Sequence, residues 1–442
     1  MSPSLRFHAA KTSRSLFWTA LLVFALAFFA RMTFYAVRGA STSPDSNEYL
    51  TLAHNLVAHH AFSLEASAPY VPSIRRSPAY PFALAVLEWM GLSAPAWIIA
   101  LQSALDAAVA VIVLLLGQLV LPLRWALAGA VFYALHPGAI YTTTTILSEP
   151  LFTFLLSAAV ALLIFGLKSS RVAVPIVSGV AMGAAILCRP VVLPLPFVIF
   201  ALLLFIRRDA YRRNAFLFIA ATVVTVAPWS IRTSAVSGHL VLVQAHSAVN
   251  YWAPTVLFLD QRNESAIWKY EEKLLQENLP AGNYTPEKAI ASDRILQREA
   301  LANIRANPIS YFKSRARSYP YLFLSSFDNF SGVNNSFGTL WTQRAFPRLA
   351  AKVLLLLLFS ALPLLFAVIG FMLGRRDLTL VLISSIWLYM LVMQIPLWIE
   401  YRFWVPVVPF LIVSAMFGLH RTFAALAKRR GETSQPIRAR TE

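Results

Sequence analysis

Cysteine is almost absent from the chain. One residue, Cys188, stands among 442, which excludes an intrachain disulfide and a cysteine-based metal cluster. Charge is also scarce. Asp, Glu, Lys and Arg make up 13% of the chain, against about 25% in ordinary soluble domains. Acid is the scarcer sign, with 20 Asp and Glu against 38 Lys and Arg. There is no internal repeat, no Walker motif, no zincin HExxH and no dinucleotide fingerprint. What is present is apolar: 58% of residues are hydrophobic, and the mean hydropathy is +0.62. Such a composition excludes a soluble globular domain and a disordered chain. It holds enough apolar sequence for many membrane spans.

The first 15 residues carry Arg6, Lys11 and Arg14, and an apolar run from Leu16 to Val37 follows. That run is too long for the core of a secretory signal, so it reads as a retained first span. Nine more apolar stretches follow. The ten spans are placed at 16–37, 96–120, 125–142, 149–167, 172–188, 191–206, 214–231, 350–373, 378–396 and 403–420. The stretch 172–206 is interrupted by Arg189-Pro190 and reads either as two spans or as a broken re-entrant pair. With the N-terminus inside, the inside connections hold Arg124; Lys168 and Arg171; Arg207, Arg208, Arg212 and Arg213; Arg375 and Arg376; and Arg421, Lys428, Arg429 and Arg430. Arg438 and Arg440 then lie in an inside C-terminal tail. The excess of Lys and Arg on one side sets orientation, so most of the basic surplus is topological, and nucleic acid is not an expected partner. The expected divisions are a membrane domain over 1–231 with a first outer loop at 38–95, a large extracytoplasmic segment over 232–349, C-terminal membrane helices over 350–420 and a cytoplasmic tail over 421–442.

Helices are expected in the large segment at Ser265–Asn278, Pro286–Asn307 and Ile309–Tyr321. The last mixes Tyr311, Phe312, Tyr319 and Tyr321 with Lys313, Arg315 and Arg317. It reads equally as an interfacial helix against anionic headgroups or as a packed helix of the segment. Sequons begin at Asn263, Asn283 and Asn334 and matter only in a host that glycosylates secreted domains. His54, His59, His60, His136, His239 and His246 form no recognisable ligand set.

The few charges near the spans gather at their outer ends. Asp45 follows the first span, Glu149 opens the fourth, Arg189 sits between the fifth and sixth, Arg232 ends the seventh, and Glu400 and Arg402 precede the tenth. A binding or reaction centre at the outer interface needs that arrangement, and ionisable groups at membrane depth are costly enough to imply function. Structural readings stand beside it. Asp45 with Glu48 three residues on resembles a capping box, and Tyr49, Leu52, Ala53, Leu56 and Val57 continue an apolar helix face. Glu149 before Pro150 reads as a favourable helix start. Asp106, within the second span, pairs structurally with Arg31 in the first. Arg75 and Arg76 either bind a phosphate or anchor to headgroups.

Six local patterns, in order from about residue 40 to 410, resemble the GT-C polyprenyl-phosphate-dependent glycosyltransferases, especially bacterial protein O-mannosyltransferases and lipid A aminoarabinose transferases. They are Pro44-Asp45-Ser46-Asn47-Glu48-Tyr49 with Leu52-Ala53-His54-Asn55-Leu56; Arg76-Ser77-Pro78-Ala79-Tyr80-Pro81; Ser148-Glu149-Pro150; Ala184 to Pro190, ending in Arg189-Pro190; Ala227-Pro228-Trp229-Ser230-Ile231-Arg232; and Glu400-Tyr401-Arg402-Phe403. Departures are His59-His60-Ala61 where Gly is common, Arg76-Ser77 where the aminoarabinose transferases carry an acid and Lys, and Thr233 in place of an Asn. The second outer segment matches least.

The resemblance implies an all-α polytopic membrane protein of GT-C fold, with about ten spans and interfacial helices in its outer loops. It implies sugar transfer, with inversion, from a polyprenyl-phosphate-linked donor to an extracytoplasmic lipid, glycan or protein at a bacterial inner membrane. Asp45 would be the general base and Glu149 a second carboxylate orienting acceptor or metal. Arg76, Arg189, Arg232 and Arg402 would hold the donor phosphate, with Arg75, Tyr80, Trp229 and Glu400 in support. A divalent cation between carboxylate and phosphate is left open. The rival classes are a secondary transporter, which commonly shows repeated halves, and a lipid-carrier-binding protein without catalysis.

Overall fold

The computed structural model describes residues 3–169, 171–206, 209–245, 247–256, 264–280, 285–324 and 337–433. Each of the three sequons lies wholly or partly outside that set, as do Arg207, Arg208, His246, Arg438 and Arg440. Among the described residues the fold is helical, with one isolated parallel bridge, Ser41 to Thr145. Six helices are long and apolar enough to span a membrane: Ser15–Arg38, Pro95–Gln118, Glu149–Leu167, Asp209–Ser237, Phe346–Gly374 and Val405–Lys428. Four shorter apolar helices, Leu123–Ala134, Ala173–Cys188, Pro190–Phe205 and Leu378–Met393, complete the bundle. The chain is a multi-pass membrane protein.

The expected third span, 125–142, is corrected. It breaks into helices Leu123–Ala134 and Pro137–Thr143. Pro137 has no N–H to donate and disfavours helix at the residue before it. His136 starts the second piece, its Nδ1 accepting from the Ala139 N–H at 3.3 Å. Twelve helical residues reach only about 18 Å, short of a hydrocarbon core of about 30 Å. The short second helix continues toward the site. The stretch 172–206 is two helices joined at Arg189, whose extended backbone and following Pro190 end the first. The helix beginning at Asp209 runs to Ser237, past the expected end at 231.

Small residues set how closely helices cross. A Cβ at Gly370 would meet the Ser414 carbonyl oxygen at 2.0 Å, and one at Gly418 would meet that of Phe366 at 2.1 Å. Phe346–Gly374 and the last helix therefore touch backbone to backbone. Gly179 plays the same part between Ala173–Cys188 and Asp209–Ser237, against the Phe218 carbonyl. A buried polar knot joins the first spans. Arg31 Nε donates to Asp106 at 2.6 Å, and its Nη1 donates to the Ala27 and Ala134 carbonyls, each at 2.8 Å. The Tyr133 hydroxyl donates to the other Asp106 oxygen at 2.6 Å.

Two small cores lie beyond the bundle. Trp252, Ile267, Leu296 and Ala300 pack one of them, bringing together helices Val249–Trp252, Glu264–Asn278 and Pro286–Ala306. Ile74, Val241, Ala245 and Ala289 pack the other, which fastens the first long loop to the second long segment. The Ala245 N–H donates to the Ile74 carbonyl at 2.8 Å between those two stretches.

Candidate active site

Asp45 lies in the first turn of helix Pro44–His59. Its expected role as helix cap is corrected. Ser43 is the cap: its Oγ accepts from the Ser46 N–H at 3.3 Å, while Ser46 Oγ accepts from the Ser43 N–H at 2.9 Å. Pro44 presets the first helical residue. The end is thus satisfied without the Asp45 carboxylate, which turns to two guanidiniums. Arg76 Nη2 donates to one oxygen at 2.6 Å and Arg402 Nη1 to the other at 2.7 Å. Burial raises the Asp45 pKa, but the two arginines outweigh it and hold it at about 2.

The loop before this helix is sewn to the loop before Glu149. The Ser41 N–H donates to the Thr144 carbonyl at 2.9 Å, the Ile146 N–H to the Ser41 carbonyl at 3.1 Å, and Ser46 Oγ to the Ile146 carbonyl at 2.7 Å. Gln102 holds the far side, its Nε2 donating to the Thr143 and Thr145 carbonyls at 2.8 and 2.9 Å. Tyr80 donates to Gln102 Oε1. Tyr80 therefore supports the site from behind, through the loop that carries Glu149. This stitching brings Asp45 and Glu149 to one place from positions 104 residues apart.

Glu149 is wholly buried at the start of helix Glu149–Leu167. Its Oε1 is paired with Arg189, with Arg402 Nε 3.6 Å away. Its Oε2 has no hydrogen-bond partner among the described residues. Arg402 is the hub, facing Asp45, Glu149 and Glu400. Burial pushes the Glu400 carboxyl up, against the pull of Arg402. Glu48 pairs with Arg76 and, at 3.2 Å, with Arg75. Arg189 lies 5.0 Å from the Phe403 ring centre, and Arg76 lies 5.6 Å from that of Tyr49. Four arginines and four carboxylates thus form one net-neutral lattice.

The lattice borders a cavity of about 300 Å³. Asp45, Arg76, Arg189 and Arg402 form its charged wall, and Phe152, Val191, Met390, Met393, Leu397 and Phe403 line it with apolar surface. Arg232 and Trp229 are not on this wall. Arg232 Nη1 donates to the Ser73 carbonyl at 2.8 Å and stacks over Trp229, 4.6 Å from its ring centre. Trp229 Nε1 donates to the Val243 carbonyl at 2.8 Å. Both brace the strands of chain that flank Arg75, Arg76 and Gln244.

Sequence reasoning missed Glu48 as a guanidinium partner, and it missed Tyr49, Gln244, Ser247, Asn250, Tyr251 and Gln394 on the cavity wall. Glu48 carried a signal, since it sits three residues from Asp45 on the same helix. Gln244, Ser247, Asn250 and Tyr251 carried none, because tertiary contacts place them, Ala245 against Ile74 and Asn250 against Trp398. Among the described residues no three His, Cys, Asp or Glu side chains are arranged to hold a metal ion. The donor set does not fit one as it stands, since guanidiniums face all four carboxylates.

No protein-family model matches the chain, and no curated protein matches it. Solved structures do. The apo oligosaccharyltransferase of Archaeoglobus fulgidus superposes with a TM-score of 0.52 at 13% identity, covering 97% of this chain and 52% of that one. The archaeal oligosaccharyltransferase AglB from Archaeoglobus fulgidus, in complex with an inhibitory peptide and a dolichol-phosphate, gives 0.50 at 16% identity, covering 96% and 52%. A weaker likeness, TM-score 0.41 at 15% identity, is to ArnT from Cupriavidus metallidurans bound to undecaprenyl phosphate, covering 97% and 82%. The chain has the GT-C fold. It spans about half the length of the oligosaccharyltransferase.

Proposed function

We propose that the chain is a glycosyltransferase that moves a sugar from a polyprenyl-phosphate-linked donor to an extracytoplasmic acceptor, with inversion. The observation that carries this reading is the cavity itself, where three arginines and a carboxylate face an apolar wall. A prenyl phosphate needs both surfaces. Arginine pairs with phosphate bidentately, and an apolar wall between helices receives a hydrocarbon chain. The orientation follows the positive-inside pattern. Arg124, Lys168, Arg171, Arg212, Arg213, Arg375 and Arg376 mark the helix ends away from the site, so the site faces outward and both termini lie in the cytoplasm.

Asp45 takes the acceptor proton and Glu149 fixes Arg189 and Arg402. Arg76, Arg189 and Arg402 neutralise the departing phosphate, and Glu400 holds Arg402. Arg232 and Trp229 position the loop bearing Arg76. An Asp45 held at about pKa 2 is a weak base. The arginines that weaken it are the same groups a phosphate would engage. Donor binding therefore draws Arg76 and Arg402 toward the phosphate and leaves Asp45 more basic. Base strength and donor occupancy rise together. The oligosaccharyltransferase structure with a dolichol-phosphate supports a lipid-phosphate donor for this fold.

The test is genetic and chemical. Envelope lipids, glycans and glycoproteins of a deletion strain are compared by mass spectrometry with strains restored by wild type or Asp45→Asn. A sugar missing on deletion is expected to return with wild type and not with Asp45→Asn at equal membrane abundance. Its full return with Asp45→Asn removes the base role.

A further inference from the structure

The cavity also carries a polar surface that the proposed donor phosphate and prenyl chain leave unassigned. Gln244, Ser247 and Asn250 from the second long segment, Ser77 from the first long loop, and Gln394 all line it. Every one is uncharged. Gln394 ends helix Leu378–Met393 as its C-cap, is only 3% exposed, and its Oε1 has no hydrogen-bond partner among the described residues. A buried amide oxygen without a partner is uncommon in native proteins and calls for an explanation. Gln244 is held from one side, its Oε1 accepting from Ser77 Oγ at 2.6 Å. That bond fixes the amide and leaves its nitrogen to donate. Asn250 is set in place by its carbonyl, which accepts from the Trp398 N–H. The same bond joins the second long segment to the stretch that carries Gln394 and Arg402.

We infer that this amide and hydroxyl wall is the subsite for the transferred sugar, and that the sugar is neutral and hydroxyl-bearing rather than an amino sugar or a uronic acid. The inference rests on the donor-site reading above. Amides and hydroxyls offer donors and acceptors together, which matches a sugar hydroxyl that does both. An ammonium buried here needs a carboxylate. Asp45 is the one carboxylate among the cavity-lining residues, and both its oxygens face arginine. A uronate would compete with the donor phosphate for Arg76, Arg189 and Arg402.

The experiment measures binding to the purified full-length protein, by displacement of a fluorescent polyprenyl phosphate. The probes are plain undecaprenyl phosphate and undecaprenyl phosphates bearing a neutral hexose, a 4-amino-4-deoxy sugar or a hexuronic acid. Wild type is expected to bind the hexose form at least tenfold more tightly than either charged form. Gln394→Ala is expected to level the three while plain undecaprenyl phosphate binds as before. Gln394→Glu is expected to favour the amino sugar, which a purely structural glutamine would not do. Charged and neutral forms binding alike to wild type, with undecaprenyl phosphate still bound, overturns the sugar subsite and leaves the donor site standing. No binding of undecaprenyl phosphate itself, by a protein that keeps its helical spectrum, overturns both.

Discussion

At the scale of single residues, Asp45 is governed by its partners. Its folded-state pKa of about 2 lies below the ordinary value of about 3.9. A depressed carboxylate adds stability that is complete above the unfolded pKa and lost as pH falls through the folded one. The melting temperature of wild type is therefore expected to exceed that of Asp45→Asn by a constant margin from pH 5 to 8. The margin narrows as pH falls from 4 toward 2. A margin that grows with acidity contradicts the pairing with Arg76 and Arg402. The pH dependence of turnover tests the coupling of donor to base. The acidic limb of kcat/KM reports the free enzyme and that of kcat the loaded one. The kcat limb is expected at the higher pH, and superposed limbs rule out the coupling. Arg31 and Asp106 show a residue pair that sequence reveals well, because a lone acid and a lone base within adjacent apolar spans have few other partners. Asp106→Ala is expected to cost about 3–5 kcal/mol, since it strands a buried guanidinium, and a thermal-unfolding series in detergent measures it. The capping role of Asp45 was misread for a local reason. Ser43, Asp45 and Ser46 are all good cap residues, and only the reciprocal Ser43 and Ser46 bonds decide between them.

At the scale of elements, the helix Pro308–Ser318 shows what periodicity leaves open. Its aromatic and basic residues fit a headgroup surface or a packed face, and the structure shows a packed side with the opposite side exposed. Ile309, Phe312, Lys313 and Arg317 are exposed. Arg315 and Tyr319, four residues apart, turn inward and grip the end of helix Leu378–Met393 and the stretch that follows it. Arg315 Nη1 donates to the Leu397 carbonyl and the Tyr319 hydroxyl to the Leu391 carbonyl, each at 2.7 Å. Phe323, the next residue in that stripe, meets the Trp404 ring at 4.6 Å. The Tyr319 bond satisfies a carbonyl that the helix end leaves open, the Arg315 bond holds Leu397 beyond that end, and together they fix where Met393, Gln394 and Leu397 sit against the cavity. Arg315→Met is expected to raise donor KM about tenfold with a smaller change in kcat, and Arg315→Lys to restore part of it. An unchanged KM shows that the grip does not shape the cavity. The close crossing at Gly370 and Gly418 is a second element-level feature. Gly370→Leu forces the two backbones apart and is expected to destabilise by roughly 1–3 kcal/mol, read by thermal unfolding.

At the scale of the whole molecule, the number and order of apolar helices were legible because long apolar runs and Lys/Arg-bearing connections are strong signals. The convergence of Asp45, Glu149, Arg189, Glu400 and Arg402 was legible as a set of exceptions at one face, and Arg76 joined them through the resemblance. The lattice they form was not, because it depends on loops sewn together at Ser41, Ile146 and Gln102. The neutral wall was not legible for the same reason: Gln244, Ser247, Asn250 and Gln394 meet through the packed second segment. Arg232 fitted the pattern of arginines at helix ends, yet its geometry places it beside Trp229 and Ser73 instead. Whether the cavity receives a lipid phosphate is the question on which every assigned role depends. Native mass spectrometry of the detergent-purified protein, titrated with undecaprenyl phosphate, answers it most directly. One lipid phosphate is expected to bind wild type, and Arg402→Ala is expected to weaken that binding at least tenfold while the protein keeps its helical spectrum. Equal binding by wild type and Arg402→Ala, or none by either, contradicts a donor site in this cavity.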